Sequence, residues 1–396
     1  MNRIAIKLKP AAERMVKKGH PWVFEGSITK QSSEGKPGDL AIIYDNKKNK
    51  FLACGFYDPD SPIRVKLLQY HQTANIDKSW FQEKIKAAFE IRKPLLLTDT
   101  NSYRLIYGEN DGLPGLIADI YDKVLVLKIY SAIWFPYLEL ILPELLAVSA
   151  CKTAVLRLSR SLQNNEAEHN LKEGQVLSGV LESEVVMFKE HGLSFSANVI
   201  HGHKTGYFLD HRNNRKKVGE LAKNKKVLDV FSYAGGFSVH ALAGGAKEVI
   251  SIDISAKALA MAQQNAALNP HEGMHIIVAI DAFKGMEALI RKREQFDLII
   301  IDPPSFAKRE TEIEKAKTHY HQLAALAAQL VKKDGTLLLA SCSSRVSSDD
   351  FFQISENAIR SANKEFELIE KTFHDVDHPV KFPEGAYLKS GYYRVF

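Results

Sequence analysis

The sequence predicts an α/β protein: a mostly parallel, seven-stranded sheet with an antiparallel edge strand, preceded by a small β-rich barrel and an α+β segment. Three observations predict it. From about residue 203 strand-like and helix-like segments alternate strictly, which is the pattern of a parallel sheet covered by helices. The first 70 residues instead hold short strand candidates broken by turn residues. The last two strand candidates follow each other without an intervening helix, which suits an antiparallel edge.

Taken in order, residues 4–8, 40–44, 51–56 and 63–68 read as strands. They are punctuated by Gly19, Pro21, Gly35-Lys36-Pro37-Gly38, Asp58-Pro59-Asp60 and Ser61-Pro62. Residues 77–93 read as a connecting helix, with Trp80, Phe81, Ile85, Ala88 and Phe89 spaced for one face. Residues 116–121 and 124–130 flank a hairpin turn at Asp122-Lys123; 134–149 is apolar with helical spacing; 154–158 and 185–189 are further strands. The alternating part has strands at 226–231, 248–253, 275–281, 296–302 and 335–341, with a helix at 256–268 stopped by Asn269-Pro270. The edge strands are 366–373 and 387–396. Domain boundaries are expected at 1–72, 73–200 and 201–396.

With 396 residues, 45% hydrophobic and 25% charged, the composition is that of an ordinary globular protein. No secretory core is visible at the N-terminus, and the longest apolar runs, such as 298–301 and 337–340, are strand-sized, so no membrane partner is expected. Three cysteines without a CxxC pair argue against a disulfide framework or a zinc site and for a reducing cytoplasm. The net charge of +6 is localised: residues 1–66 hold 13 Lys/Arg and 7 Asp/Glu, while the rest is 40 against 40. A second basic cluster runs from Lys204 through Arg212, Arg215, Lys216, Lys217, Lys223, Lys225 and Lys226. Such localisation suits a polyanion partner.

The strand ending Val227-Leu228-Asp229-Val230-Phe231 runs into Ser232-Tyr233-Ala234-Gly235-Gly236-Phe237-Ser238. Gly235 and Gly236 permit a tight turn and close approach of a ligand to the backbone, and the following helix start attracts an anionic group. The dinucleotide fingerprint requires G-x-G-x-x-G, but position 234 is Ala and 239 is Val, which argues against a dehydrogenase. Asp253 ends the second strand, where a carboxylate can accept ribose hydroxyls. Asp281 follows the third, within reach of an adenine amino group. Asp229, the glycine pair, Asp253 and Asp281 at successive strand ends form a coherent nucleoside-binding set.

In this order the set resembles the class I S-adenosylmethionine-dependent methyltransferases, with a Rossmann-like domain. Further motifs narrow the resemblance: Gly206-Tyr207-Phe208-Leu209-Asp210-His211-Arg212, Asp302-Pro303-Pro304-Ser305-Phe306, Ser341-Cys342-Ser343, and the tail His378-Pro379, Pro383-Glu384-Gly385 and Tyr387-Leu388-Lys389. Together they resemble the bacterial RlmI-type 23S rRNA cytosine-C5 methyltransferases, which carry an N-terminal PUA domain. Gly19-His20-Pro21-Trp22-Val23-Phe24 and Gly38-Asp39 fit the PUA part; residues 109–116 fit the middle domain. The resemblance covers essentially the whole chain. It implies S-adenosyl-L-methionine as cofactor, contacted by Asp229, Phe231, Ser232, Tyr233, Gly235, Asp253 and Asp281, with Asp210 and Arg212 nearby. Two positions depart from the family pattern: His211 stands where Gln is frequent, and Ser305 where Lys is frequent.

Cytosine C5 is too weak a nucleophile to take a methyl group unaided. Addition of a thiolate at C6 activates it, so the chemistry needs a cysteine and a group at the N3–N4 edge of the base. Cys342, at the end of the fifth strand, is the expected nucleophile. Asp302, at the end of the fourth, is expected to contact or protonate the cytosine edge. Pro303 and Pro304 stiffen the loop toward the base, and Tyr207 and Phe208 are candidates for lining its pocket. The base that removes the C5 proton is unassigned among Asp302, a water and His378. Two other readings share these motifs: N-methylation of a purine in rRNA, with Cys342 merely packed, and a non-catalytic RNA-binding assembly factor. A base inside a duplex is out of reach of Cys342, so the expected partner is large-subunit rRNA, free or in an assembly intermediate. His20, Trp22 and Phe24 are candidates for stacking on it. Cys54 and Cys151 read as structural. A homodimer is left open by the sequence.

Overall fold

The computed structural model describes residues 2–164 and 170–396. The chain divides into two compact units: Met1–Glu190 with Ser196–Leu209 and Val376–Pro383, and His191–Phe195 with Asp210–Asp375 and Glu384–Phe396.

The first unit opens with a six-stranded sheet: β1 (Arg3–Leu8), β2 (Trp22–Phe24), β3 (Ile28–Gln31), β4 (Leu40–Tyr44), β5 (Phe51–Tyr57) and β6 (Ile63–Tyr70), in the order β2-β6-β5-β4-β1-β3. Only β1 and β4 pair in parallel. Alternate residues Ile4, Ile6 and Leu8 point into a core shared with Val23, Ile43, Val65 and Leu67, the period-2 signature of a sheet buried on one face. Helix α1 (Pro10–Lys17), β2 and β3 were not evident from the sequence. They are short, and α1 is set by Pro10 at its first turn rather than by a long apolar stripe.

A five-stranded sheet follows, in the order β11-β10-β9-β8-β7, from β7 (Ser102–Tyr107), β8 (Leu116–Tyr121), β9 (Val124–Ile129), β10 (Thr153–Leu158) and β11 (Val176–Ser178). The β8–β9 hairpin turns at Asp122-Lys123, with Asp122 at φ +53°. Helices α2 (Lys78–Arg92) and α3 (Leu138–Ser149) belong to the same core. Asp77 caps α2 by accepting from the Trp80 amide at 3.1 Å. The run Ala132–Ser149 corrects one expectation. It is the one stretch among the described residues long and apolar enough, by length and composition, to cross a membrane, so the longest apolar segment is not strand-sized. Here its Ile133, Trp134, Tyr137, Ile141 and Leu145 are wholly buried in the unit's core. A short helix α4 (Arg160–Gln163) and a two-stranded ladder of β12 (Val185–Glu190) and β13 (Leu193–Asn198) precede the last sheet in the chain.

The second unit carries α5 (Arg212–Leu221), β14 (Lys226–Val230), α6 (Gly236–Ala243), β15 (Glu248–Asp253), α7 (Ala256–Ala267), β16 (Met274–Ala279), α8 (Ala282–Arg291), β17 (Phe296–Ile301), α9 (Ile313–Leu330), β18 (Val331–Ser341), α10 (Ser348–Ser361), β19 (Phe366–Thr372) and β20 (Lys389–Val395). The strand order is β16-β15-β14-β17-β18-β20-β19. The first five are parallel, and β20 runs antiparallel between β18 and β19, as the sequence predicts. Near-continuous apolar runs such as Leu298–Ile301 are buried because helices cover both faces of a parallel sheet. The order reverses between β14 and β17, so the C-terminal ends of β14, β15, β17 and β18 frame the switch-point crevice where ligands bind in such sheets.

Candidate active site

At the end of β14 the backbone is strained. Phe231 has φ +66° and Tyr233 φ +47°, conformations that bulky residues rarely adopt and that concentrate at functional sites. Both Phe231 and Ser232 donate their amides to the Ile252 carbonyl, and Gly235 donates to the Ser232 carbonyl. Gly235, at φ +78°, is required by packing: a Cβ there would lie 2.7 Å from the Ala262 Cβ. The expectation that this glycine admits a ligand is thus joined by a stricter demand from α7.

Asp229 is buried beneath this turn. Its Oδ2 accepts from the Ser238 amide at 3.1 Å and the Ser238 hydroxyl at 2.6 Å; that hydroxyl also meets Ser251 Oγ at 2.7 Å. Burial, aided by the charges of Asp302 and Asp253, pushes the Asp229 pKa up to about 7 against the Ser238 bonds. Asp229 Oδ1 and Ser232 Oγ are buried without a hydrogen-bond partner. Asp253 ends β15 and accepts from the amides of Tyr233 at 2.9 Å and Ser255 at 2.8 Å. Asp281 caps α8 through the Lys284 amide at 3.2 Å. A buried acceptor and a buried hydroxyl that lack partners, beside a strained turn at the switch point, fit a ligand rich in donors, as S-adenosylmethionine is through its ammonium, ribose hydroxyls and adenine amine.

Next to this crevice β17 and β18 pair in parallel, with Ile301 opposite Leu339. Their ends bring Asp302 and Cys342 together. The Asp302 amide lies 3.4 Å from the Val230 carbonyl, which ties it to the end of β14. Cys342 Sγ lies 3.5 Å from the Pro303 carbonyl. Burial, then the carboxylates of Asp302 and Asp210, pushes the Cys342 thiol up to about 12. Lys389 opposes this weakly from β20, where it pairs with Ser341. Its buried ammonium donates to the carbonyls of Ser343, of Val346 at 2.6 Å and of Tyr387 at 3.3 Å, and burial depresses its pKa to about 8. Tyr387 donates to Asp210 at 2.8 Å. His211 Nε2 lies 3.3 Å from Asp302 Oδ1.

The sequence-predicted residues thus divide. Asp210, Asp229, Phe231, Ser232, Tyr233, Gly235, Asp253, Asp302, Pro303 and Cys342 stand at or beside the C-terminal strand ends of one unit. Pro304 continues the same loop, and Arg212 opens α5, fully buried. Tyr207 and Phe208 belong to the first unit, where the Tyr207 amide donates to the Tyr121 hydroxyl at 3.0 Å and Phe208 packs edge-on to His203. His378, a candidate base, also lies in the first unit, buried with Nδ1 3.0 Å from Asp377. His211 and Lys389 were not singled out as functional from the sequence. Their partners lie far away in the chain, and only the register of β18 with β20 and the start of α5 bring them in.

Sheet order, switch-point crevice and unpartnered acidic acceptor define a class I S-adenosylmethionine-dependent methyltransferase. Comparison with known proteins agrees: the S-adenosylmethionine-dependent methyltransferase family matches residues 145–391, and the PUA-like domain family matches residues 6–70. A Deinococcus radiodurans protein named ribosomal RNA large subunit methyltransferase is 42% identical over 395 residues, covering 98% of this chain and 96% of the relative. An Escherichia coli protein named ribosomal RNA large subunit methyltransferase I is 35% identical over 390 residues, covering 98% of each. The chain belongs to this family, the ribosomal RNA large subunit methyltransferases of the RlmI type, and its cofactor is S-adenosyl-L-methionine. The fold is shared with a Streptococcus mutans S-adenosylmethionine-dependent methyltransferase (TM-score 0.82, 20% identity, 98% and 99% of the two chains). It is shared equally with a methyltransferase crystallised with S-adenosylhomocysteine (TM-score 0.83, 20% identity, 100% of both).

Proposed function

We propose that this enzyme methylates C5 of a cytosine in 23S rRNA through a covalent bond between Cys342 and C6. The observation that carries the reading is the pairing of β17 with β18, which sets a thiol and a carboxylate side by side next to the cofactor crevice. Asp229, Ser232, Tyr233 and Asp253 hold the cofactor, with Phe231, Gly235 and Asp281 shaping its walls. The bound cofactor supplies an electrophilic methyl group on its sulfonium. In the free enzyme the Cys342 proton stays on sulfur, directed at the Pro303 carbonyl. When the base is seated, the Cys342 proton passes to Asp302, the thiolate adds to C6 and the electron pair moves to C5, while Asp302 delivers that proton to N3. Once C5 carries its methyl, its proton leaves to a base and the thiolate is eliminated, restoring the aromatic ring.

The target is single-stranded or flipped out, because a stacked base cannot reach a thiol at a strand end. Free 23S rRNA or an assembly intermediate in the cytoplasm meets that condition better than a finished subunit. The basic residues 1–66, which form most of the PUA-like sheet, supply phosphate contacts. RNA carrying 5-fluorocytidine tests the mechanism, since fluorine at C5 blocks proton loss. The enzyme should form a complex with it that survives denaturation, and Cys342→Ala should not. Bisulfite sequencing of rRNA from a strain lacking the enzyme should lose one protected cytosine. Methyl transfer that persists in Cys342→Ala would instead point to an amino nitrogen as acceptor beside Asp302-Pro303-Pro304.

A further inference from the structure

His211 sits at the start of α5 with its ring buried against Phe237, the centroids 5.5 Å apart. Its two nitrogens have different partners. Nε2 faces Asp302 Oδ1 at 3.3 Å, and Nδ1 faces Asn214 Nδ2 at 3.0 Å. Asn214, almost one turn further along α5, is oriented by β19 and β20. Its Oδ1 accepts from Thr372 Oγ1 at 2.9 Å and from the Tyr392 hydroxyl at 3.1 Å, while Nδ2 also reaches Ser390 Oγ at 3.4 Å. With its oxygen engaged by two hydroxyls, the amide presents N–H to the ring. Nδ1 is then an acceptor and carries no proton, so the ring proton is on Nε2, on the side of the carboxylate but not aligned for a hydrogen bond to it in the free enzyme.

We infer that His211 is a positioning residue for methyl transfer: a neutral imidazole, locked in its Nε2–H tautomer by Asn214, that holds Asp302 by one oxygen and leaves the other for the cytosine. Asp302 remains about a quarter exposed while His211 is almost wholly enclosed, so the pair has one side built and one side open. Burial lowers the His211 pKa and the Arg215 charge lowers it further, while Asp302 and then Asp210 raise it and prevail. A second ring proton, however, would set Nδ1–H against the Asn214 N–H, two donors at 3.0 Å, so the amide opposes what the charge favours. At 3.3 Å the nitrogen and the carboxylate are close but make no aligned hydrogen bond, and catalytic contacts are often poorly aligned before substrate binds. The role demands an N–H donor of fixed direction, not a titrating group.

The inference rests on the role proposed for Asp302, and its test separates the two. His211→Gln keeps a side-chain N–H and should hold kcat within about threefold of the native enzyme. His211→Leu fills similar space without a donor and should lose roughly a hundredfold in kcat, the scale of a misplaced reacting group, with KM for RNA and cofactor affinity unmoved. In the full-length protein labelled with 15N-histidine, His211 should show the neutral Nε2–H tautomer at about pH 8, and Asn214→Asp should convert it to the doubly protonated ring. Equal loss in the Gln and Leu variants, or a native Nδ1–H signal, would overturn the inference. The nitrogen spectrum decides it even if Cys342→Ala proves active and the cytosine reading falls.

Discussion

Cys342 Sγ lies 3.5 Å from the Pro303 carbonyl, and the charges of Asp302 and Asp210, which oppose a thiolate, outweigh that of Lys389, which favours it. With the thiol pushed up to about 12, only a minute fraction ionises at neutral pH. On the proposed mechanism, the thiolate would form only in the substrate complex, where the bound base changes its surroundings. In free enzyme, alkylation of Cys342 by iodoacetamide should rise about tenfold per pH unit from pH 7 to 10 without a plateau, because this range lies wholly below the folded pKa. Site-resolved mass spectrometry separates it from Cys54 and Cys151, which burial also pushes up to about 11. Lys389→Met should slow the reaction, since it removes a cation that favours the thiolate. A plateau near pH 8 would mean that the thiol is already activated before RNA arrives.

At the scale of elements, the turn between β14 and α6 concentrates several demands in a few residues. Two aromatic residues at positive φ aim Ser232 and the Tyr233 amide, and Gly235 lets α7 approach. Gly235→Ala brings both a strained φ and a Cβ 2.7 Å from Ala262, whose backbone Cα is itself only 3.0 Å away. The cost should be roughly 1–3 kcal/mol of stability, as for overpacking at a strained backbone position. Cofactor affinity should fall with it, because Tyr233 and Asp253 share the displaced turn; thermal melts and calorimetric titration measure the two. This turn was legible in the sequence, since an apolar strand, an acidic residue and a glycine pair lie in immediate succession. The parallel strands were legible for the same reason: their apolar runs are continuous and their stops polar. Strand β7, Ser102–Tyr107, was not, because Tyr103, Leu105 and Ile106 alternate imperfectly around Arg104. Nor were the contacts of His211 and Lys389. The contacts of His211 with Asp302 and of Lys389 with Ser343 and Val346 are made to other elements, and a pairing set by tertiary packing leaves no local trace.

At the scale of the whole molecule, the chain leaves the second unit at Val376 and returns at Glu384, placing Val376–Pro383 in the first. Nothing local announces this: the segment reads as a loop with two prolines. Its hold is polar and buried. Asp377 is fully enclosed; its Oδ2 accepts from the Arg104 amide at 3.0 Å and its Oδ1 meets His378 Nδ1 at 3.0 Å. The Asp377 carbonyl accepts from Arg92 at 3.2 Å, and Arg92 is paired bidentately with Asp111 at 2.9 and 2.6 Å. Lys381 donates its amide to Asn110 at 2.8 Å, and Phe382 packs edge-on against Trp22, centroids 5.2 Å apart. One eight-residue segment thus closes over a buried arginine–aspartate pair and reaches the PUA-like sheet. Asp377→Ala leaves the Arg104 amide and the buried His378 ring without that partner. Removing one member of such a network typically costs about 3–5 kcal/mol. For a unit of this size that should lower its melting temperature by roughly 6–20 °C. Hydrogen exchange should localise the loss to β7, α2 and the segment itself, while the amides of β14 to β18 keep their protection and cofactor affinity is unchanged. Protection lost uniformly across both units would instead mean that the two unfold as one.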